Sequence, residues 1–507
     1  MDISKIFLAI IVILIIYAFD KFLKWRKFVN TVNRIPGPKS YPIIGTMWET
    51  MRANRDEILE IQKKHSALYG PIYRYWLMGF ADIKLERAEH VEKILKSTTI
   101  IRKSQFYDYE FRKWLGNGLI TSTGEQWHLH RKFLTPTFHF SILEGFCDVF
   151  AEKCQIMVEK LKKVADTGET VEIFDYVHRC ALDIICETAM GIQMNAQETG
   201  KSEYTEAIKE ICTINTKRFL TPLLRFEWIF ALTSYGARSR KALKTLNDFT
   251  EKVIKERKAL RKELSNSGET ETGKKRKMFL DLVLDETEKR PFFTDQDIRE
   301  EVDTFMFAGH DTTTAAMSFA LYLIGLHPEV QEKLYQEQLD IFGDSTELAT
   351  YKNLSEMKYM DMVIKECLRI FPSVPKVSRR VTEEVEVGGY TIPVGASVSL
   401  WIYGCSRDER YFPNPEKFDP DRFLPENKKN LHPYAFIPFS AGLRNCIGQR
   451  FAQLEEKVML STMIRNFKIT SPIPLKDMKV IQEIVTRPIN GVHIILEKRQ
   501  SSTKGLN

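Results

Sequence analysis

Cysteine is scarce and scattered in this chain: eight thiols in 507 residues, with no Cys-x-x-Cys pair and no framework spacing among them. That excludes a disulfide scaffold and suits a reducing compartment. Charge of one sign is modest, a formal +7 with a pI near 8.7, and no basic stripe interleaves with aromatics. Nucleic acid is therefore not an expected partner. Linkers are missing too: a length prior of about 150 residues per domain would suggest three domains, yet no linker of the required kind and no internal repeat appears. With 43% hydrophobic and 28% charged residues, the chain can build one large core. A polar, glycine-bearing stretch between Ser265 and Lys277 reads as an exposed loop between helices.

Long apolar runs are absent except at the start, where Ile6 through Phe19 is unbroken and extends from Ile3 to Leu23 if the pairs Ser4-Lys5 and Asp20-Lys21 are admitted. That is enough for a membrane span. Lys21, Lys24, Arg26 and Lys27 follow it, against Lys5 before it, so positive-inside bias leaves the bulk of the chain cytoplasmic. No Ala-x-Ala cleavage pattern follows, which favours an uncleaved signal anchor over a secretory signal peptide. Pro36, Pro38 and Pro42 then form a stiff hinge, because proline cannot continue a helix.

The most informative run is Phe439-Ser-Ala-Gly-Leu-Arg-Asn-Cys446-Ile-Gly448. Downstream, Ile447, Phe451, Ala452, Leu454, Val458 and Met459 recur at helical spacing, which puts Cys446 at a helix N-terminus. The macrodipole there favours a thiolate. Gly442 and Gly448 permit a tight turn and close approach to a flat ligand, and a buried structural cysteine is the plain alternative. The spacing Phe-x-x-Gly-x-Arg-x-Cys-x-Gly resembles the haem-binding signature of the cytochrome P-450 superfamily at every fixed position. That resemblance implies haem b with Cys446 as its axial thiolate, Phe439 shielding one side, Gly448 closing the loop and Arg444 on a haem propionate. A thiolate ligand pushes electron density onto iron and favours O–O cleavage. The absence of a Cys-x-x-Cys-His run excludes the other covalent haem attachment.

Further landmarks follow in the family's order. Glu366 and Arg369 form its Glu-x-x-Arg, and the stretch from Pro415 to Phe423 resembles its meander, with Arg422 joining the pair as a three-charge lock of structural purpose. Trp127 and Arg131, four apart on one helix face, are implied propionate donors, as is Arg379. His128 and His130 stand two apart and face different directions on a helix, which argues against a metal site there.

The segment Glu301 to Thr313 is expected to be the oxygen-activating helix, with Phe305, Ala308 and Thr312 on one face and Gly309 leaving room for dioxygen. Asp311 and Thr312 read as an acid–alcohol proton relay; local helix hydrogen bonds are the alternative. The segment is similar to the family-four signature at all but one position. Many members of that branch carry glutamate where this chain has Ala308, and the carboxylate can become esterified to a haem methyl group. Alanine has no oxygen for the ester, so the haem is expected to be held non-covalently apart from the sulfur.

The expected architecture is mostly α with small β-sheets, the cytochrome P-450 fold behind an N-terminal membrane anchor helix. Residues 1–30 form the anchor and its basic flank, 31–46 the hinge, 47–500 one haem domain and 501–507 a polar tail. The resemblance implies a monooxygenase in the endoplasmic reticulum membrane, inserting one oxygen atom from O2 into a lipophilic small molecule, foremost a fatty acid. Isoprenoids, steroids and foreign compounds are the alternatives, with a peroxide-rearranging isomerase or a non-catalytic haem or lipid-binding protein further off. NADPH-cytochrome reductase, a flavoprotein, is the implied electron donor, a b-type cytochrome a second partner and the bilayer a third. Lys132, Arg450 and Lys457 are candidates for the docking face. Segments 106–119, 219–230, 373–377 and 489–492 are expected to line the pocket, with Arg102, Arg112, Arg225 and Arg238 as candidate carboxylate partners.

Overall fold

A computed structural model describes residues 3–200, 203–267, 278–289 and 293–499. Most of the loop expected between Ser265 and Lys277, and the tail 501–507, lie outside the described residues. Helix α1, Ile3–Asn33, presents the apolar side chains of the N-terminal run outward, unburied by the rest of the chain. At about 1.5 Å per residue it is long enough to cross a bilayer. It runs three residues past the expected boundary and docks by its end: Val32 is buried, and Trp76 Nε1 donates to Asn33 Oδ1 at 3.0 Å. The hinge then lies along the first strand, with Arg74 N donating to Pro36 O at 2.8 Å and Thr46 N to Trp76 O at 2.7 Å.

That strand, β1 (Ile72–Leu77), pairs antiparallel with β2 (Phe80–Leu85) through Met78 and Gly79, both at positive φ, the turn that matches strand twist. Two later strands, β3 (Lys376–Arg380) and β4 (Ser397–Trp401), complete a sheet in the order β1-β2-β4-β3, with β4 parallel to β2. A further hairpin joins β5 (Val480–Gln482) to β6 (Thr486–Pro488).

Helices make the rest of the domain. The central one, here α2 (Asp295–Leu326), starts with a capping box between Thr294 and Asp297 and ends before Pro328. It packs against the earlier helix Ile173–Ile185, whose N-terminus is capped by Glu172 accepting from two backbone N–H groups. The large apolar core, with Phe150, Met306, Phe319 and Met459 fully buried, surrounds it.

The three-charge lock assembles as expected. Glu366 and Arg369 pair through 2.7 and 2.8 Å bonds, and Arg369 donates to the carbonyls of Ser406, Pro415 and Lys417. Arg422 stands 3.5 Å from Glu366, an ion-pair contact, while its own hydrogen bond goes to Asn414 O. This cluster fastens the meander to the helix Lys358–Ile370 beneath the site.

Candidate active site

Cys446 ends a tight loop in which its N–H donates to Phe439 O at 2.9 Å and Asn445 N donates to Gly442 O at 3.1 Å. Ser440 and Gly442 take positive φ, and a Cβ at Gly442 would lie 1.9 Å from the Leu95 carbonyl oxygen, so only glycine fits. Gly448 is the N-cap of the helix Gln449–Asn466, which places the sulfur at a helix start as the sequence predicts. Burial pushes the thiol pKa up, opposed by the Gly448 backbone hydrogen bond and the Arg131 charge. Cys446 is nonetheless accessible, whereas the other seven cysteines are buried. A sulfur that is both desolvated and accessible lies on the wall of an interior cleft.

Beside it, four cations gather without a carboxylate partner among the described residues. Arg444 donates to the carbonyls of Ile120 and Ser122, rests 4.6 Å from the centre of the Trp127 ring and leaves Nε unpartnered. Its pKa is pushed down to about 9 by burial and by Arg379. Arg379 is buried, and among the described residues its side chain donates only to Ser378 O, at 3.1 Å. Arg131 reaches the cysteine loop through Asn445 O and Oδ1 at 2.9 and 2.7 Å. Lys103, which sequence reasoning missed, bridges to Arg379 through the backbone, and burial and the neighbouring arginines push its pKa well down. Nothing in its local sequence marks it. Buried cations without anions are costly, and two carboxylates at the cleft would relieve them. A thiolate donor, a glycine-shaped cradle and this cation group fit haem with its two propionates.

The central helix supplies the opposite wall. From Glu300 to Gly325 every residue is buried except Ala308, Gly309 and Thr312, which marks where α2 opens to the cleft. Thr312 Oγ1 donates to Ala308 O at 2.8 Å. Two expectations change here. Phe305 does not share the opening; it stacks with Phe138 and packs on Phe279. The space at Gly309 is taken by the Ile185 side chain, 2.5 Å from where a Cβ would stand, so this glycine serves helix packing.

Asp311 is fully buried and held by Arg487 of β6, whose Nη2 donates to both carboxylate oxygens at 2.8 and 2.7 Å. Behind it the His178 and His310 rings meet edge to face, 4.9 Å apart, with His178 Nε2 4.0 Å from Asp311. Burial lowers both histidine pKa values, and the neutral His310 donates from Nδ1 to Met306 O. Arg487 already occupies the Asp311 oxygens and would repel a cation, which argues against a metal among these three. His130 bonds Glu301 at 2.6 Å while His128 is exposed, so they diverge as expected.

A cavity under β1 to β4 is lined by Phe106, Tyr107, Phe219, Arg225, Lys376 and Ser378, drawing on three of the four expected pocket segments. In the adjoining cavity the C-terminal lining is Ile481 to Glu483, a turn earlier than the expected 489–492. Of the candidate arginines, Arg112 is committed to Asp108 and Asn117 and Arg238 to Glu210, Arg102 is exposed, and Arg225 lines the cavity. Lys132 and Arg450 are exposed, but Lys457 is tied to Leu354 O at 3.1 Å and lies 3.9 Å from Asp361.

The cytochrome P450 family profile matches residues 35–495. Cytochrome P450 4c21 of Blattella germanica is 43% identical over 503 residues, covering 98% of this chain and 100% of that protein. Cytochrome P450 4c3 of Drosophila melanogaster is 42% identical over 489 residues, 93% and 91% of the two chains. Cytochrome P450 4V2 of Homo sapiens is 42% identical over 495 residues, 95% and 92%. With the thiolate loop, the cation group and the opened central helix in one cleft, the chain belongs to the cytochrome P450 family, on its family-four branch, and is a haem-thiolate monooxygenase.

Proposed function

We propose that the enzyme hydroxylates fatty acids near the chain end at the endoplasmic reticulum membrane, with electrons from NADPH-cytochrome reductase and a b-type cytochrome as a second donor. The observation that carries this reading is the surface beside the substrate cavity. Leu223, Phe226, Trp228 and Leu232 are exposed, Leu232 at 84%, directly after the cavity-lining Phe219. An apolar patch of this kind is what a lipid-facing entrance needs, and Arg225 within it donates to Leu77 O, next to the Trp76 that bonds Asn33 at the end of α1.

Haem, when bound, supplies an electron-rich iron able to cleave dioxygen. Cys446 holds it through the sulfur, with Gly448 N–H tuning the thiolate and Phe439, packed on the core, shielding it. Arg379, Arg444, Arg131 and Trp127 would hold the propionates. Ala308 presents a methyl group, so no ester to the protein forms. Thr312 offers its hydroxyl at the cleft, and Asp311, once Arg487 releases one of its oxygens, would take a proton from solvent and pass it on to the Thr312 hydroxyl. Lys132 and Arg450 present charge to the reductase.

The test is reconstitution with the reductase and a ladder of saturated and unsaturated fatty acids. Oxidation concentrated at or next to the terminal carbon is expected. No turnover of any fatty acid, from protein with a normal thiolate carbon monoxide spectrum, would overturn the reading.

A further inference from the structure

Lys376 is the first residue of β3, half-buried, and lines both cavities under the sheet. Its ammonium lies 5.2 Å from the centre of the Phe106 ring and 6.0 Å from that of Phe219. Among the described residues it forms no ion pair and no hydrogen bond, although cations in such settings normally find an anion.

The charged groups around it are otherwise engaged. Asp82, on the wall of both cavities, accepts from Ser399 Oγ at 2.8 and 2.9 Å; burial pushes its carboxyl pKa up, and the charges of Lys376 and Lys84 offset that only in part, so it is a weak partner for the ammonium. Arg218 pairs with Glu227 at 2.6 Å, and Glu483 with Arg55 at 2.7 Å. Arg225 donates to the carbonyls of Phe219 and Leu77. Lys84 donates to Gln62, and its pKa is pushed down to about 7, chiefly by burial and in part by Lys376. An added anion would relieve both lysines.

Strand alternation sets the direction. Residues two apart on β3 share a face, so Lys376 and Ser378 look into the cavity while Arg379 turns to the cation group beside Cys446. Ser378 Oγ lies 2.6 Å from Ser104 Oγ, which gives the cavity a hydroxyl pair beside the ammonium.

Resting on the fatty-acid reading, we propose that Lys376 binds the free carboxylate of the substrate, with the first methylenes lying along the outer surface of the Phe106–Phe219 edge-to-face pair. The enzyme then reads an ionised acid head rather than chain length alone. With the head held under the sheet, the far end of the chain is the part left to reach the cleft, and a neutral ester or alcohol of equal length lacks the anchor.

The test uses haem-loaded enzyme and the spectral shift on substrate binding, titrated with palmitate and with methyl palmitate. For the wild type, palmitate should bind more tightly than its ester. Lys376→Met should weaken palmitate about 10- to 100-fold, the range for a charge-assisted bond. The same variant should move methyl palmitate less than about threefold, and Lys376→Arg should recover most of the acid affinity. Equal loss for acid and ester would assign Lys376 to packing and overturn the proposal, as would unchanged palmitate binding in Lys376→Met. Wild-type enzyme that binds neither ligand would overturn the fatty-acid reading itself, and the anchor with it.

Discussion

Replacing Arg487 by methionine removes the cation that neutralises Asp311 and keeps most of the side-chain volume. The carboxylate is fully buried, both its oxygens bond to Arg487, and His178 Nε2 stands 4.0 Å away. Breaking a buried pair from one side typically costs about 3–5 kcal/mol. With an unfolding entropy of about 2.1 cal/mol/K per residue, a domain of this size gains roughly 1 kcal/mol/K, so the midpoint should fall by about 3–5 °C. Thermal loss of the haem absorbance in detergent measures it. The double variant Arg487→Met with Asp311→Asn removes the stranded Asp311 charge, leaves the buried Glu483, 3.7 Å from Arg487, to its pair with Arg55, and should recover more than half of the loss. A shift under about 1 °C, or simple additivity of the two single changes, would refute the reasoning, because it would mean that water or another group already screens Asp311.

Other outcomes follow from the same geometry. Thr312→Ala should leave haem and substrate binding intact while product per NADPH falls about tenfold and hydrogen peroxide rises, because the hydroxyl at the cleft is gone; unchanged coupling would reject the relay. Haem should leave the polypeptide in acidified organic solvent, since Ala308 has no oxygen to bond it; haem retained on the chain would contradict this. Lys132→Glu with Arg450→Glu should slow the first electron transfer several-fold at low salt and leave substrate affinity alone; unchanged reduction kinetics would remove these residues from the docking face. His178 and His310 are held neutral by burial, with pKa values below the ordinary value of about 6.5. The unfolded chain therefore binds more protons below pH ~6.5, so their contribution is full above that pH and is lost as pH falls below it. His178→Leu should flatten the fall in midpoint between neutral and mildly acidic pH, and an unaltered slope would exclude the pair as its cause.

The chemistry-bearing residues were legible where local rules dictate them. Cys446 before a helix, with Gly442 forced by the Leu95 carbonyl and Gly448 at the N-cap, is a backbone motif confined to a few residues. The Glu366–Arg369 pair was legible for the same reason, being three apart on one helix. What sequence did not give is set by contacts between distant segments. Gly309 fits against Ile185 of another helix, and Phe305 is drawn off the cleft face by Phe138 and Phe279. Asp311 could be read as an acid, but its partner Arg487 lies on a strand 176 residues away. Lys103 and Lys376 carry no local signature, and only the sheet brings one to Arg379 and the other to Phe219. Lys457 has helical spacing that suits a surface, yet it is spent on the Leu354 carbonyl.

The most direct test of the whole account is turnover of palmitate under isotopically heavy dioxygen, with the reductase, NADPH and lipid vesicles present. The account expects a hydroxyl near the chain end that carries one heavy oxygen atom, formed only when NADPH is supplied. A product whose new oxygen comes from water, or one formed from a lipid peroxide without NADPH, would contradict it.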